Sequence, residues 1–243
     1  MIHNEQTAGH LHPMTAMIRE LTIIFKELGF AVEGGPELET EFYNFDALNV
    51  AKDHPSRDMQ DTFWIKPKKG DSEKKLLRTQ TSSVQIRYMD KMVKGSIMPP
   101  YRIVVPSKVF RNESTDATHE AQFFQMECLY IDENVSMENL KGTIEYMMKK
   151  LYGEDVLIRF RPSYFPFVEP AVEVDMRWNN RWLEMGGAGI VHPNVLKEVG
   201  LDSKKYRGFA FGFGIDRLVM LKHKGIDDIR NFYNGDLRFV DQF

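Results

Sequence analysis

The chain has 243 residues, which suits one large domain and leaves little room for a second. Its 42% hydrophobic and 28% charged residues are the balance of a soluble globular protein, and 17 Phe, 14 Met, 9 Tyr and 3 Trp can build a sizeable core. A net charge of −3 excludes a protein that coats nucleic acid, no apolar run approaches the roughly 20 residues that span a bilayer, and the single Cys128 excludes an internal disulfide or a cysteine-cluster metal site.

The polar start, Met1 to Leu11, has no apolar export stretch, so a reducing, cytoplasmic setting is expected. From His12-Pro13 to Leu28 the apolar residues Met14, Met17, Ile18, Leu21, Ile24, Phe25 and Leu28 recur at helical spacing, and Gly29 supplies the stop. An extended segment with Gly34-Gly35-Pro36 follows. The basic stretch Lys66–Arg78 around Gly70-Asp71 reads as a solvated hairpin tip rather than a binding patch. Helices are expected at Ser82–Val93 and at Ser136–Leu151, where Ser136 is an N-cap and Leu140, Ile144, Met147 and Leu151 form the buried stripe. Strands are expected at Tyr101–Phe110, Phe123–Ile131, Val156–Arg161, Ala171–Trp178, Arg181–Met185 and Gly208–Gly214, with a tight hairpin at Trp178–Arg181. Turn-sized connections between most of them favour an antiparallel sheet over βαβ units. The glycines form no dinucleotide or P-loop fingerprint, so any ATP phosphates would be held chiefly by side chains.

Three segments carry chemistry. Val109–Glu113 ends a strand, and after a polar loop through His119 the returning strand puts Phe123, Gln125 and Glu127 on one face. A Gln and a Glu beside aromatics are costly to bury unless a ligand or partner satisfies them; a hairpin with a polar outer face explains them equally. Arg161–Pro170 packs three prolines and three aromatics into a rigid extended wall suited to an aromatic ligand, or to core packing at a bend. Gly208–Arg217 runs into an apolar helix with Arg217 in its first turn, where a cation opposes the helix dipole. An anionic ligand relieves that cost, and so does a pair with Asp216 or another carboxylate, which is slightly favoured on these residues alone.

Together these segments resemble the class II aminoacyl-tRNA synthetases. Phe110-Arg111-Asn112-Glu113 is similar to motif 2, Gly212–Arg217 to motif 3, and the helix–strand unit from Pro13 through Pro36 to motif 1, the dimerisation element. The resemblance is closer to the alpha chains of phenylalanine–tRNA ligases. Gly9–Pro13, Tyr43–Leu48, Asp53–Asp58, Asp61–Trp64, Leu77–Ser82, Arg159–Phe167 and Gly235–Phe239 match that family in order across nearly the whole chain. It implies an α+β fold, mainly antiparallel sheet flanked by helices, as a single catalytic domain over residues 1–243. The implied reaction attacks the α-phosphate of ATP with the phenylalanine carboxylate and passes the aminoacyl group to tRNA(Phe). Positioning and charge stabilisation suffice for it, which fits the lack of a nucleophile–base dyad.

By position in the family motifs, Arg111 contacts the α-phosphate and Arg217 the γ-phosphate, Phe123 stacks on adenine, Glu113 accepts from its amino group, and His119 assists at the phosphates. Gln125 and Glu127 address the ammonium of L-phenylalanine with Gln80 and Ser82 nearby, Phe165 and Phe167 grip its ring, and Ala210 closes the pocket beyond the para position. Magnesium is implied on the phosphates, with its ligands not legible. The implied partner is a beta subunit, or a second copy through motif 1, and no membrane. Phe124 stands where the family usually has His, Cys128 where Gly is usual, and Met185–Gly189 where a cysteine form is commoner. The family's N-terminal coiled-coil arm has no counterpart here, which implies a core whose adenylate formation survives better than tRNA charging. A partner-dependent subunit, inactive without a beta chain, is one alternative, and a synthetase-like paralogue with a binding or regulatory role is the other. The paralogue is disfavoured because Arg111 and Arg217 are both present.

Overall fold

The computed structural model describes residues 10–58, 61–223 and 226–243; Gly9 and the polar start before it lie outside the described residues. Helix α1 (Pro13–Glu27) has a proline in its first turn, and its N-cap His12 accepts from the Met14 N–H. Its buried stripe of Met14, Met17, Leu21, Ile24 and Phe25 is the one that the spacing predicts. Strand β1 (Ala31–Val32) follows, then β2 (Leu38–Thr40), helix α2 (Glu41–Asn44) and β3 (Lys75–Leu77).

Residues 63–65 and 75–77 pair across the basic tip, so the hairpin reading holds for the lysines. It fails for Arg78, which is 2% exposed and donates to the carbonyls of Lys108, Gly35 and Pro36. The Arg78 carbonyl in turn accepts from the Phe110 N–H, so this residue ties together the segments that lead into two of the three motifs. Arg57, also buried, bonds Glu41 at 3.1 Å and Asp46 at 2.8 Å, which fastens the strap of residues 53–58 to α2 and the turn after it.

Helix α3 (Ser82–Lys94), strands β4 (Tyr101–Phe110) and β5 (Gln122–Asp132) and helix α4 (Met137–Tyr152) come next. Ser136 caps α4 in a capping box with Asn139, as its place before the apolar stripe predicts. Strands β6 (Ile158–Phe165), β7 (Val168–Trp178) and β8 (Arg181–Val191), helix α5 (Pro193–Glu198), strand β9 (Arg207–Gly214), helix α6 (Ile215–Lys222) and helix α7 (Leu237–Val240) complete the chain. Segment Arg161–Pro170 is no extended wall. It folds as the hairpin of β6 and β7, with Pro166-Phe167 at the turn. Strand β8 runs six residues past the expected Met185, through Gly186–Val191.

One seven-stranded sheet, ordered β1-β4-β5-β9-β8-β7-β6, organises the domain, and every pair except β1–β4 is antiparallel. Helices α1, α4 and α6 cover one face and seal it with Met126, Cys128, Phe209, Phe211 and Phe213. The other face is covered only in part. There Ile103, Val105, Leu129 and Ile131 pack beneath α3, α5 and residues 45–50. Along β5 the residues of that face change from Ile131 and Leu129 to Glu127, Gln125 and Phe123, and the change from apolar to polar marks where the cover ends and a cavity begins. Phe124 and Cys128, two of the positions that depart from the family, face the helices instead.

Candidate active site

The cavity, about 740 Å³, lies over the open part of the sheet, and all twelve residues singled out from the sequence line it. Phe123 and Arg111 meet at the base of the hairpin between β4 and β5, with the Arg111 guanidinium carbon 5.0 Å from the Phe123 ring centre. Burial pulls the Arg111 guanidinium down, while the charges of Glu113 and Asp61 hold it up. Among the described residues its N–H groups have no carboxylate or carbonyl partner within hydrogen-bond reach, which leaves a half-buried cation facing the cavity. The hairpin tip is ordered by Asp116, whose carboxylate accepts from Thr118 N, His119 N and the Thr118 hydroxyl at 2.7–2.9 Å. Those donors hold Asp116 far below the usual carboxylate range and place His119 at the rim.

Arg217 is not paired with Asp216. It reaches back to the Glu184 carbonyl at 2.5 Å, and its neighbour Asp216 turns into the protein, 2% exposed. Among the described residues, the first turn of α6 therefore keeps an exposed guanidinium beside the cavity with one backbone acceptor and no carboxylate. That arrangement suits a polyanion, because bidentate guanidinium–phosphate contacts are stronger than neutral hydrogen bonds.

Deeper in, Glu127 is 4% exposed and accepts from the Thr81 hydroxyl at 3.0 Å and from the Ser82 hydroxyl. Burial pushes its carboxyl up to about 7, against these two donors. Next to it the Gln125 Oε1 is buried with no hydrogen-bond partner among the described residues. A cationic donor entering here would satisfy both groups at once. Gln125 can lie flat across β9 because residue 212 is glycine: a Cβ there would come within 2.7 Å of Nε2. Gln80 donates to the Asn44 carbonyl at 3.2 Å, fixing the floor below Ser82.

The apolar end is built by the turn between β6 and β7. Phe165 and Phe167 stack with centroids 6.0 Å apart and planes at 22°. Asn49, in a left-handed backbone conformation, holds the turn by donating to the Pro166 carbonyl at 2.7 Å. Phe165 lies directly on Gly187, where a Cβ would be 2.6 Å from the ring. Ala210 and Val168 close the end of the cavity. Sequence reasoning missed Val168, Thr81, Glu184 and Gly187. Thr81 sat within the quoted Leu77–Ser82 segment, and Gly187 sat in the glycine-rich segment just past the expected strand Arg181–Met185.

The sheet order, the arginine at the end of β4 and the arginine after β9 define a class II aminoacyl-tRNA synthetase core. The chain matches the family described as tRNA synthetases class II core domain (F) over residues 1–243. The solved pyrrolysyl-tRNA synthetase of Desulfitobacterium hafniense has the same fold, with a TM-score of 0.72 at 16% identity over 94% of this chain and 75% of that one. More particularly, the chain is 50% identical to the phenylalanine–tRNA ligase alpha subunit of Bacillus subtilis over 99% of its length and 70% of the relative's. It is 52% identical to that of Nostoc punctiforme over 97% of its length and 67% of the relative's. The chain belongs to the phenylalanine–tRNA ligase alpha subunits.

Proposed function

We propose that this chain activates L-phenylalanine with ATP and transfers it to tRNA(Phe), and that the cavity above the sheet is where both steps occur. The observation that supports it most is one cavity that holds, among the described residues, a guanidinium without a protein acceptor and an orphaned amide oxygen beside a buried carboxyl, with an aromatic end closed by an alanine. In this reading Phe123 carries the adenine, with Glu113 at its amino edge. Arg111 takes the α-phosphate, Arg217 the γ-phosphate, and His119 supports the phosphates from the rim. The phenylalanine ammonium sits between Gln125 and Glu127 with Gln80 and Ser82 beneath, and its ring reaches Phe165, Phe167 and Ala210.

The carboxylate is itself the nucleophile. It attacks the α-phosphorus, the bond to pyrophosphate breaks, and the charge that builds on the non-bridging oxygens is met by Arg111. The adenylate then loses AMP to a ribose hydroxyl at the 3′ end of the tRNA. Among the described residues no three His, Cys, Asp or Glu side chains converge as a metal cage. Glu184, which lines the cavity next to Arg217, would help hold magnesium there. Magnesium when bound neutralises phosphate charge. A beta subunit is the expected partner, and no helix among the described residues is long and apolar enough to cross a membrane.

Specificity at the para position rests on Ala210, 6% exposed on β9 between Leu129 and Gly189. Replacing it with glycine removes one methyl where the ring ends, so Ala210→Gly is expected to activate 4-chlorophenylalanine at least tenfold better relative to phenylalanine, since one methyl-sized difference is worth about 10–200-fold. Competition in ATP–pyrophosphate exchange measures this. Unchanged discrimination would place the ring elsewhere.

A further inference from the structure

Strand β5 loses its neighbour at the point where it has most to carry. Its pairing with β9 ends at Gln125 and Gly214, so the Phe124 N–H, next to the Phe123 ring, has no strand partner on that side. The Asp216 side chain takes its place: Oδ2 accepts from the Phe124 N–H at 2.8 Å. A carboxylate in the first turn of α6 thus continues the β9 ladder by one more rung. The other oxygen, Oδ1, accepts from the hydroxyl of Tyr233, which lies outside all three synthetase motifs.

Tyr233 belongs to a segment with anchors of its own. Phe232, one residue earlier, is 6% exposed and packs edge-on against Phe239 and against His12 at the start of α1. Ile229 lines the cavity, and its N–H donates to the Ala117 carbonyl at 2.9 Å, at the tip of the hairpin between β4 and β5. Residues 229–233 therefore hold that hairpin at two places, its tip through Ala117 and its returning strand through Asp216.

Building on the ATP site described above, we propose that Asp216 and Tyr233 are positioning residues for ATP: they fix the Phe123 platform and the returning strand, and do not touch the phenylalanine end of the cavity. The two ends are separable along β5. Glu127 and Gln125 sit where β4 and β9 flank the strand on both sides, whereas Phe123 sits where β9 has ended and only the carboxylate remains. Loosening the tether should therefore move ATP binding and leave phenylalanine binding as it is.

The test uses the full chain with Tyr233→Phe, Asp216→Ala and Asp216→Asn. Tyr233→Phe removes a single hydroxyl and is expected to raise KM for ATP about tenfold in ATP–pyrophosphate exchange, the scale of one hydrogen bond to a charged group, with KM for phenylalanine unmoved. Asp216→Ala should do more. Asp216→Asn keeps an oxygen for the Phe124 N–H and an N–H for the phenol oxygen, so it should recover most of the affinity. Hydrogen exchange on the free protein supplies a second readout: the amides of residues 122–125 should exchange faster in Tyr233→Phe and Asp216→Ala. This readout reports on the tether even if the chain showed no phenylalanine-dependent exchange, the result that would sink the functional reading instead. An unchanged KM for ATP, an equal rise in both KM values, or unaltered protection of residues 122–125 would overturn the proposal.

Discussion

Replacing Arg111 with alanine is expected to lower phenylalanine-dependent ATP–pyrophosphate exchange by roughly 10²–10³-fold in kcat, the usual cost of removing one preorganised group at a transition-state charge. The Arg111 side chain is half-buried. It lies over Phe123, and among the described residues nothing accepts its hydrogen bonds, so folding should be little affected. Burial already disfavours its charge, against Glu113 and Asp61. A group kept charged at such a cost is repaid only when an anion arrives. Arg111→Lys should recover a minor part of the rate, because an ammonium cannot make the two parallel contacts of a guanidinium. Steady-state exchange with a melting curve for each variant decides it. Full activity in Arg111→Ala would remove this residue from the chemistry.

The second large effect is expected at Glu127. Its carboxyl is pushed up to about 7 by burial, so near neutral pH a sizeable fraction of the free protein carries it protonated. An ammonium ligand needs the charged form, so binding below pH 7 must expel a proton, and kcat/KM for phenylalanine should rise as pH climbs through about 7. Glu127→Gln keeps the shape but never charges. It should lower kcat/KM for phenylalanine about 10²-fold at pH 8, the scale of a lost charge-assisted contact, and flatten the profile.

Stability should change in the opposite direction. A folded-state value raised above the ordinary 4.5 means that the unfolded chain gives up this proton first, so the wild-type protein loses stability as pH rises from 4.5 to about 7. Glutamine escapes that loss, worth roughly 3 kcal/mol at most for a displacement of this size. Glu127→Gln should melt higher than wild type at pH 8 while being the poorer enzyme. A variant both less stable and less active at pH 8 would mean that Glu127 is held charged for structural reasons.

The long periodic elements were legible in the sequence because a single cause fixed each of them. Helix α1 lies within a residue of its expected bounds, since Pro13 opens it, Gly29 follows it and one apolar stripe runs between. Strand β4 matches residue for residue, bounded by Pro100 and by the charged loop that starts at Arg111. The residues proposed for the site share one cavity, and Phe123, Gln125 and Glu127 do so because they obey strand alternation.

Other features depended on what packs against a residue, which single-sequence patterns do not carry. The second half of β8 fell outside the expected strand because it is rich in glycine; Gly187 makes room for the Phe165 ring, and at Gly186 a Cβ would strike the backbone of β9. Pro162 and Pro166 suggested a rigid wall, but the chain between Phe165 and Val168 closes a hairpin with Asn49 latched to its turn. Asp216 looked like the partner of Arg217 because it is adjacent in sequence. Successive helical residues point in different directions, and its partners are Phe124 and Tyr233, 92 and 17 positions away. Arg78 looked like one more solvated cation in a basic run until three backbone carbonyls were found around it.

The most direct single measurement is ATP–pyrophosphate exchange by the purified chain with each of the twenty amino acids in turn. Exchange that depends on phenylalanine, with tyrosine about 10²-fold weaker because an apolar pocket rejects an added hydroxyl poorly, is the expected result. Exchange driven best by an amino acid without an aromatic ring, or by none of the twenty even with a beta subunit added, would contradict the assignment of this cavity to phenylalanine activation.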